Sequence, residues 1–261
     1  MAVLFEYKGN NEFIHHSVDE KTDVKGKFSV HMHNKFELYY FISGNATMTI
    51  EGRKVELTKG TVLIMKPGIA HAISLKRYCK YERIAFLFDR FDCKIDFDYM
   101  IFLDKNANNF VLECLNQIIK SDNINAAIDM FLPPIIYVIS NNSKTEHELF
   151  SDDLVDKIIK FINSNLSGKW NLETLSKKFY VNKSSMCRKF KATVGISILE
   201  YANRKRIYSA RQNIFLYRSV SKGYEKSGWD DYSSFYRQYV KIIGISPYID
   251  LKKYLKNEIN K

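Results

Sequence analysis

The segment "HMHNKFE" sets His31 and His33 one residue apart and Glu37 four residues beyond the second. Imidazole nitrogens with a carboxylate oxygen are ligands that divalent transition metals select. In an extended strand, residues of equal parity share a face, so His31, His33, Glu37, Tyr39 and Phe41 can all point into one interior. Downstream, "KPGIAH" brings His71 after a Pro67-Gly68 turn, where a neighbouring strand can present it to the same interior. Two uses stay open. His31, His33, Glu37 and His71 can form a metal shell, or the same four with Tyr39 can line a pocket for a small effector. No nucleophile elbow, phosphate-binding glycine loop or second metal cluster accompanies them, so no catalytic residue is expected. No cofactor is expected either, apart from that divalent metal.

A second set of residues suits a polyanion. "NKSSMCRKFK" carries Lys183, Ser184, Ser185, Cys187, Arg188 and Lys191 away from a Met186/Phe190 stripe. "DYSSFYRQYVK" presents Tyr232, Ser233, Tyr236, Arg237 and Lys241 in the same way around Phe235 and Tyr239. Arg188 is suited to bidentate contact with guanine or phosphate. Lys183, Lys189, Lys191 and Lys241 suit phosphate, which adds affinity without sequence information.

Those side chains need elements to hold them. Residues 28–90 read as short strands, "FELYYFI", "ATMTI", "KVEL" and "TVLIM", rich in β-branched and aromatic residues and separated by turn signals. Such spacing predicts an antiparallel sandwich or barrel over 1–106. From 107 to 140 the apolar period becomes helical, with Phe110, Val111, Cys114, Leu115, Ile118 and Ile119 on one stripe. Pro133-Pro134 is expected to end or kink the second helix there. The polar stretch 141–151 reads as a linker.

Beyond it, 152–261 is helical and repeats itself. "RKFKATVGIS" (188–197) and "RQYVKIIGIS" (237–246) align in register 49 residues apart. Each closes a helix, a tight turn and a second helix opened by a capping residue, Asn182 or Asp231. These are two helix-turn-helix units, 172–191 and 220–241, whose second helices are of a width to enter a major groove. A helix over 198–215 joins them and would span ~27 Å. Its Arg204, Lys205, Arg206 and Arg211 can complement phosphates.

Charge agrees with that division. Residues 1–150 hold 18 Lys+Arg against 19 Asp+Glu, whereas 151–261 hold 22 against 10, so the whole excess of the +11 chain lies in the second part. The four cysteines form no CxxC pair and suit reduced thiols in a reducing compartment. The N-terminus lacks a signal-peptide pattern and no window is expected to span a membrane, so a cytoplasmic protein with no membrane partner is expected.

Residues 152–254 resemble the DNA-binding domain of the AraC/XylS family of transcription regulators. The residues that carry this are "LETLSKKFYVNKSSMCRKFK", Gly195-Ile196-Ser197, Arg206-Ile207 with Ala210, and "GWDDYSSFYRQYVK" closing in Gly244-Ile245-Ser246-Pro247. The chain departs from that pattern at Gly223-Tyr224, where the family has an apolar residue and alanine, and at Ser227, another apolar position. Glycine inside a helix and tyrosine in an alanine-sized space are expected to weaken or repack the second unit.

The earlier histidines resemble the cupin fold, with His31-x-His33-x3-Glu37-x6-Gly44 as its first motif and Pro67-Gly68-x-x-His71 approximating its second. The proline–glycine spacing is one residue short, and Leu75 replaces an asparagine. The resemblance implies an α+β chain of two domains: an N-terminal cupin-like antiparallel β-barrel followed by helices, then an all-α double helix-turn-helix. It implies an activator or repressor that binds double-stranded DNA as a homodimer, answers a small-molecule effector, and meets RNA polymerase if it activates. A metal-dependent cupin enzyme and a metal-sensing regulator are the alternatives.

Overall fold

The computed structural model describes residues 2–9, 12–19, 30–75, 80–89, 103–141 and 153–259. The chain divides into two units, Met1–Phe150 and Ser151–Lys261.

Among the described residues the first unit has eight antiparallel strands: β1 (Ala2–Lys8), β2 (Phe13–Asp19), β3 (Phe36–Ser43), β4 (Ala46–Ile50), β5 (Arg53–Leu57), β6 (Val62–Met65), β7 (His71–Leu75) and β8 (Tyr81–Phe88). They form a five-stranded sheet in the order β1-β2-β8-β3-β6 and a three-stranded sheet β5-β4-β7. Strands β1 and β2 precede residue 28 and were not legible as strands, because the "HH" and "SVD" of β2 break its apolar pattern.

Strand β3 explains the layering. Tyr39 and Phe41 face the small sheet and pack with Met48, Ile50, Val55, Leu63, Met65 and Tyr81. Leu38 and Tyr40 point the other way, onto helices α1 (Lys105–Lys120) and α2 (Ile124–Asn141), among Val111, Leu115, Ile118, Leu132 and Ile135. A strand buried on both faces needs an unbroken apolar run rather than an alternating one, and "FELYYF" is that run with one acidic exception.

Helix α1 is capped by Asp104, which accepts from the N–H groups of Asn106 and Ala107, both at 2.9 Å. Its buried stripe is Ala107, Val111, Cys114, Leu115 and Ile118, with Phe110 turned outward. Helix α2 bears on two expectations. Pro133 and Pro134 lie inside it and do not end it. The bonds their N–H groups would give to the carbonyls of residues 129 and 130 cannot form, but both residues lie on the exposed face, where water can serve. Its 18 residues also reach a mean hydropathy of 1.3, so one stretch does match a membrane span in length and apolarity. That apolarity is a packing stripe, Ile128, Leu132, Ile135 and Ile139, buried in the core beneath the sheet.

The second unit is helical: α3 (Asp153–Ser164), α4 (Leu172–Lys178), α5 (Lys183–Val194), α6 (Ile198–Tyr217), α7 (Val220–Glu225), α8 (Tyr232–Ile243) and α9 (Pro247–Ile259). The sequence repeat is a repeat of caps. Asn182 and Asp231 accept backbone N–H groups at the starts of α5 and α8. Gly195 and Gly244 end those helices in the left-handed region, at φ 89° and 90°, which glycine enters without strain. Ser197 and Ser246 then accept the N–H groups of Glu200 and Ile249 at 3.2 and 3.3 Å.

The Gly223-Tyr224 departure also has a structural reason. Gly223 lies where α7 crosses α6: a Cβ there would stand 2.2 Å from Ile214 Cγ1 and 2.9 Å from the Ala210 carbonyl oxygen. The missing side chain is thus replaced by the α6 backbone itself. The Tyr224 ring leans onto α8, with centroids 5.4 Å from both Tyr232 and Phe235. Ser227 is buried and donates its hydroxyl to the Tyr224 carbonyl.

Candidate effector cluster and nucleic-acid interface

In the first unit, β3 and β7 bring three of the four candidate ligands together. His31 and His71 exchange backbone hydrogen bonds, each 3.0 Å, which joins the approach to β3 to the start of β7. The Gly68 N–H donates to the His33 carbonyl at 3.0 Å and fixes the Pro67-Gly68 turn against the same segment. His33 Nε2 lies 2.8 Å from Glu37 Oε2, and His71 Nε2 lies 3.1 Å from that oxygen but off the hydrogen-bond line. One ligand atom from each of His33, Glu37 and His71 falls within 4.8 Å of the others.

The second nitrogens decide the tautomers. His33 Nδ1 faces the Lys35 carbonyl at 2.7 Å and His71 Nδ1 faces the Ile69 carbonyl at 3.0 Å. A carbonyl only accepts, so both Nδ1 atoms carry protons. In the neutral rings both Nε2 lone pairs then lie beside the Glu37 carboxylate, that of His33 directed at it. Two lone pairs and a carboxylate repel unless positive charge lies among them, either ring protons or a metal ion. Histidine ligands commonly donate their other N–H to a carbonyl in this manner.

Electrostatics at the cluster follow from burial and charge together. Burial raises the Glu37 carboxyl, but its contacts with His33 and His71 and their charge prevail and hold it far below the usual range. Burial lowers His71, and the Glu37 contact and charge, helped by the Ile69 carbonyl and by Glu51, outweigh it and raise the ring.

Two of the residues proposed for the pocket sit differently. His31 is exposed, and its ring packs edge-on against His71 with centroids 4.2 Å apart. Tyr39 is buried and directs its hydroxyl to that of Tyr81, a partner not foreseen; burial pushes Tyr81 up to about 12. Glu51 was also missed. It occupies the β4–β5 turn at φ 51°, is buried, and accepts from the Ala70 N–H at 3.2 Å. An acidic residue before Gly52 was the available signal for such a turn.

In the second unit, Lys183, Ser184, Ser185, Arg188 and Lys191 are exposed on α5, with Cys187 half-buried and its thiol free. Met186, Phe190 and Val194 form the buried face. On α8, Tyr232, Ser233, Tyr236, Arg237 and Lys241 are exposed over buried Phe235 and Tyr239. Lys183 pairs with Glu173, and Tyr232 packs on Tyr224. Cys79 and Cys93 and most of the 141–151 linker lie outside the described residues.

Two arginines of α6 are not available for phosphate, against expectation. Arg206 donates to the carbonyls of Leu166 and Gly168 at 2.7 and 3.1 Å and covers the Trp170 ring. Arg211 is buried in a two-pronged pair with Asp250, at 2.7 and 3.2 Å. Arg204 pairs with Glu200 at 2.8 Å, and Lys205 covers the Tyr201 ring. Arg206 and Arg211 thus tie α6 to the α3–α4 turn and to α9, while Arg204 and Lys205 pair within α6 itself.

A sequence profile described as a helix-turn-helix domain matches residues 175–252, and one described as an AraC-like ligand binding domain matches residues 19–80. No curated protein matches the chain. Among solved structures, ToxT from Vibrio cholerae is 14% identical, covering 94% of this chain and 96% of its own, with a TM-score of 0.40. A protein of unknown function from Listeria innocua is 25% identical over 39% of this chain and 97% of its own, with a TM-score of 0.37. A probable AraC family transcriptional regulator from Rhodopseudomonas palustris is 19% identical over 40% of this chain and 98% of its own, also with a TM-score of 0.37. With an AraC-like ligand binding domain in its first unit and a helix-turn-helix domain in its second, the chain belongs to the AraC/XylS family of regulators.

Proposed function

We propose that the protein is a sequence-specific regulator of transcription that binds double-stranded DNA under the control of a small effector held in the N-terminal unit. The observation that carries this reading is the pair of helices α5 and α8. Each is capped alike, buried along one face, and exposed along another that bears arginine, lysine and hydroxyl groups. Arg188 and Arg237 read base edges, and Lys191 and Lys241 meet phosphates. The protein works in the cytoplasm as a homodimer, and as an activator it would also meet RNA polymerase. Exposed Met130 and Tyr137 on α2, 69% and 70% accessible, support dimer contacts on that helix. Dimerisation makes the second DNA contact intramolecular and so raises avidity.

Selection of genomic fragments by the full-length protein at near-physiological salt tests the reading. A short motif with two blocks about one helical turn apart is expected. Fragments recovered without any shared motif would sink it.

A second reading concerns the effector alone. The Nε2 atoms of His33 and His71, 2.8 and 3.1 Å from Glu37 Oε2, favour a divalent metal at that cluster. These three residues would hold it, and the ion would supply the positive charge that their lone pairs and carboxylate call for. Metal analysis of the purified protein, with His33→Ala as control, separates a metal-responsive regulator from one that binds an organic effector.

A further inference from the structure

The repeat allows the two reading helices to be compared position by position, and at their inner faces they differ. In the first unit Ile162, Phe190 and Tyr201 are all buried, and the Phe190 and Tyr201 rings meet edge-on at 5.7 Å. Forty-nine residues later the same register holds Arg211, Tyr239 and Asp250. These are 6%, 0% and 4% exposed, so an ionic set has taken the place of a largely apolar one, whose Tyr201 hydroxyl donates to Asn163 at 3.3 Å, without coming to the surface.

The contacts are specific. Tyr239 of α8 donates its hydroxyl to Asp250 Oδ2 at 2.6 Å. Arg211 of α6 donates Nε to that oxygen at 2.7 Å and Nη2 to Oδ1 at 3.2 Å. The guanidinium also lies 4.7 Å over the Phe215 ring, which stacks on Tyr254 of α9 at 4.4 Å. Three helices therefore converge on one carboxylate. Apolar ring packing holds a helix without dictating its direction. A bidentate guanidinium–carboxylate pair with a third donor fixes angles as well as distances. Buried ionic sets stabilise little compared with apolar ones, and fixing one arrangement is the use best attested for them.

We propose that Asp250 is the positioning residue of the second reading helix: through Tyr239 and Arg211 it sets the angle at which α8 presents Tyr232, Ser233, Tyr236 and Arg237 to DNA. This rests on the DNA-reading function proposed above. The weakening foreseen from Gly223-Tyr224 is thereby answered by a lock that the first unit does not have.

The test uses the full-length protein and a duplex that it selects from a random-sequence pool. Each of the two blocks is scrambled in turn, and Arg188→Ala and Arg237→Ala identify which block α5 and α8 read. Scrambling either block should weaken wild-type binding by about tenfold or more. Asp250→Ala and the gentler Tyr239→Phe, which leaves the Arg211 pair intact, should lose discrimination at the α8 block only, reproducing Arg237→Ala. The triple variant Arg211→Ile, Tyr239→Phe, Asp250→Tyr installs the first unit's own residues, and it should recover the α8 block. Thermal melting of each variant establishes that it is folded at the binding temperature. Wild-type discrimination at the α8 block in Tyr239→Phe, or parallel loss at both blocks in folded variants, would overturn the assignment. Wild-type protein indifferent to both blocks would instead overturn the DNA-reading function on which it rests.

Discussion

The proton inventory around Glu37 makes the first unit's stability depend on pH in a definite direction. His71 holds its proton more tightly in the folded chain than its ordinary value of 6.5. Its contribution is complete below 6.5 and disappears as pH rises through the raised value. Glu37 is held below its ordinary 4.5, so its contribution is complete above 4.5 and disappears on acidification. Metal-free protein should therefore melt highest between these limits, and His71→Gln should flatten the alkaline fall in a melting series. An alkaline limb identical in wild type and variant would remove His71 from the account. On the DNA side, Arg188→Ala should cost ~1–3 kcal/mol and relax one base position, whereas Lys191→Ala should weaken all sequences alike; competition binding separates the two. The spacing of His33, Glu37 and His71 made the three legible in the sequence, although strand parity applies only to Glu37, since His31 and His33 both lie ahead of β3. Glu51 was not legible, because it meets the cluster only through a turn.

At the level of elements, the crossing of α6 and α7 is the most exacting contact. Gly223→Ala must push the Ile214 side chain or the Ala210 carbonyl aside, and overpacking of this kind costs ~1–3 kcal/mol. Loss of a cap is milder. Asn182→Ala should cost about 1 kcal/mol, read as a lower melting temperature of the second unit. Helices and their caps were legible because a 3.6-residue period and side-chain acceptors are local signals. The continuation of α2 through Pro133-Pro134 was not, since it depends on which face of the helix meets water. Nor was the use of Arg206 and Arg211, since a cation's partner lies 38 to 40 residues away in sequence and only the fold brings it near.

For the whole molecule, the excess of basic over acidic residues beyond 150 sets how binding answers to salt. Log affinity for DNA should fall linearly with log salt, with a slope near −0.9 per phosphate neutralised. Each lysine removed from the α5 or α8 face should lower that slope by about one, and titrations at several salt concentrations measure it. An affinity insensitive to salt would place the basic surface elsewhere than on DNA. The end of one repeat is also the beginning of the next. Gly195-Ile196-Ser197 both closes α5 and caps α6, and Gly244-Ile245-Ser246 does the same for α8 and α9. The unit is therefore tileable: a copy of 198–246 spliced after Ser246 meets a junction of matching stereochemistry. A chain so lengthened would carry a third reading helix and address a longer operator.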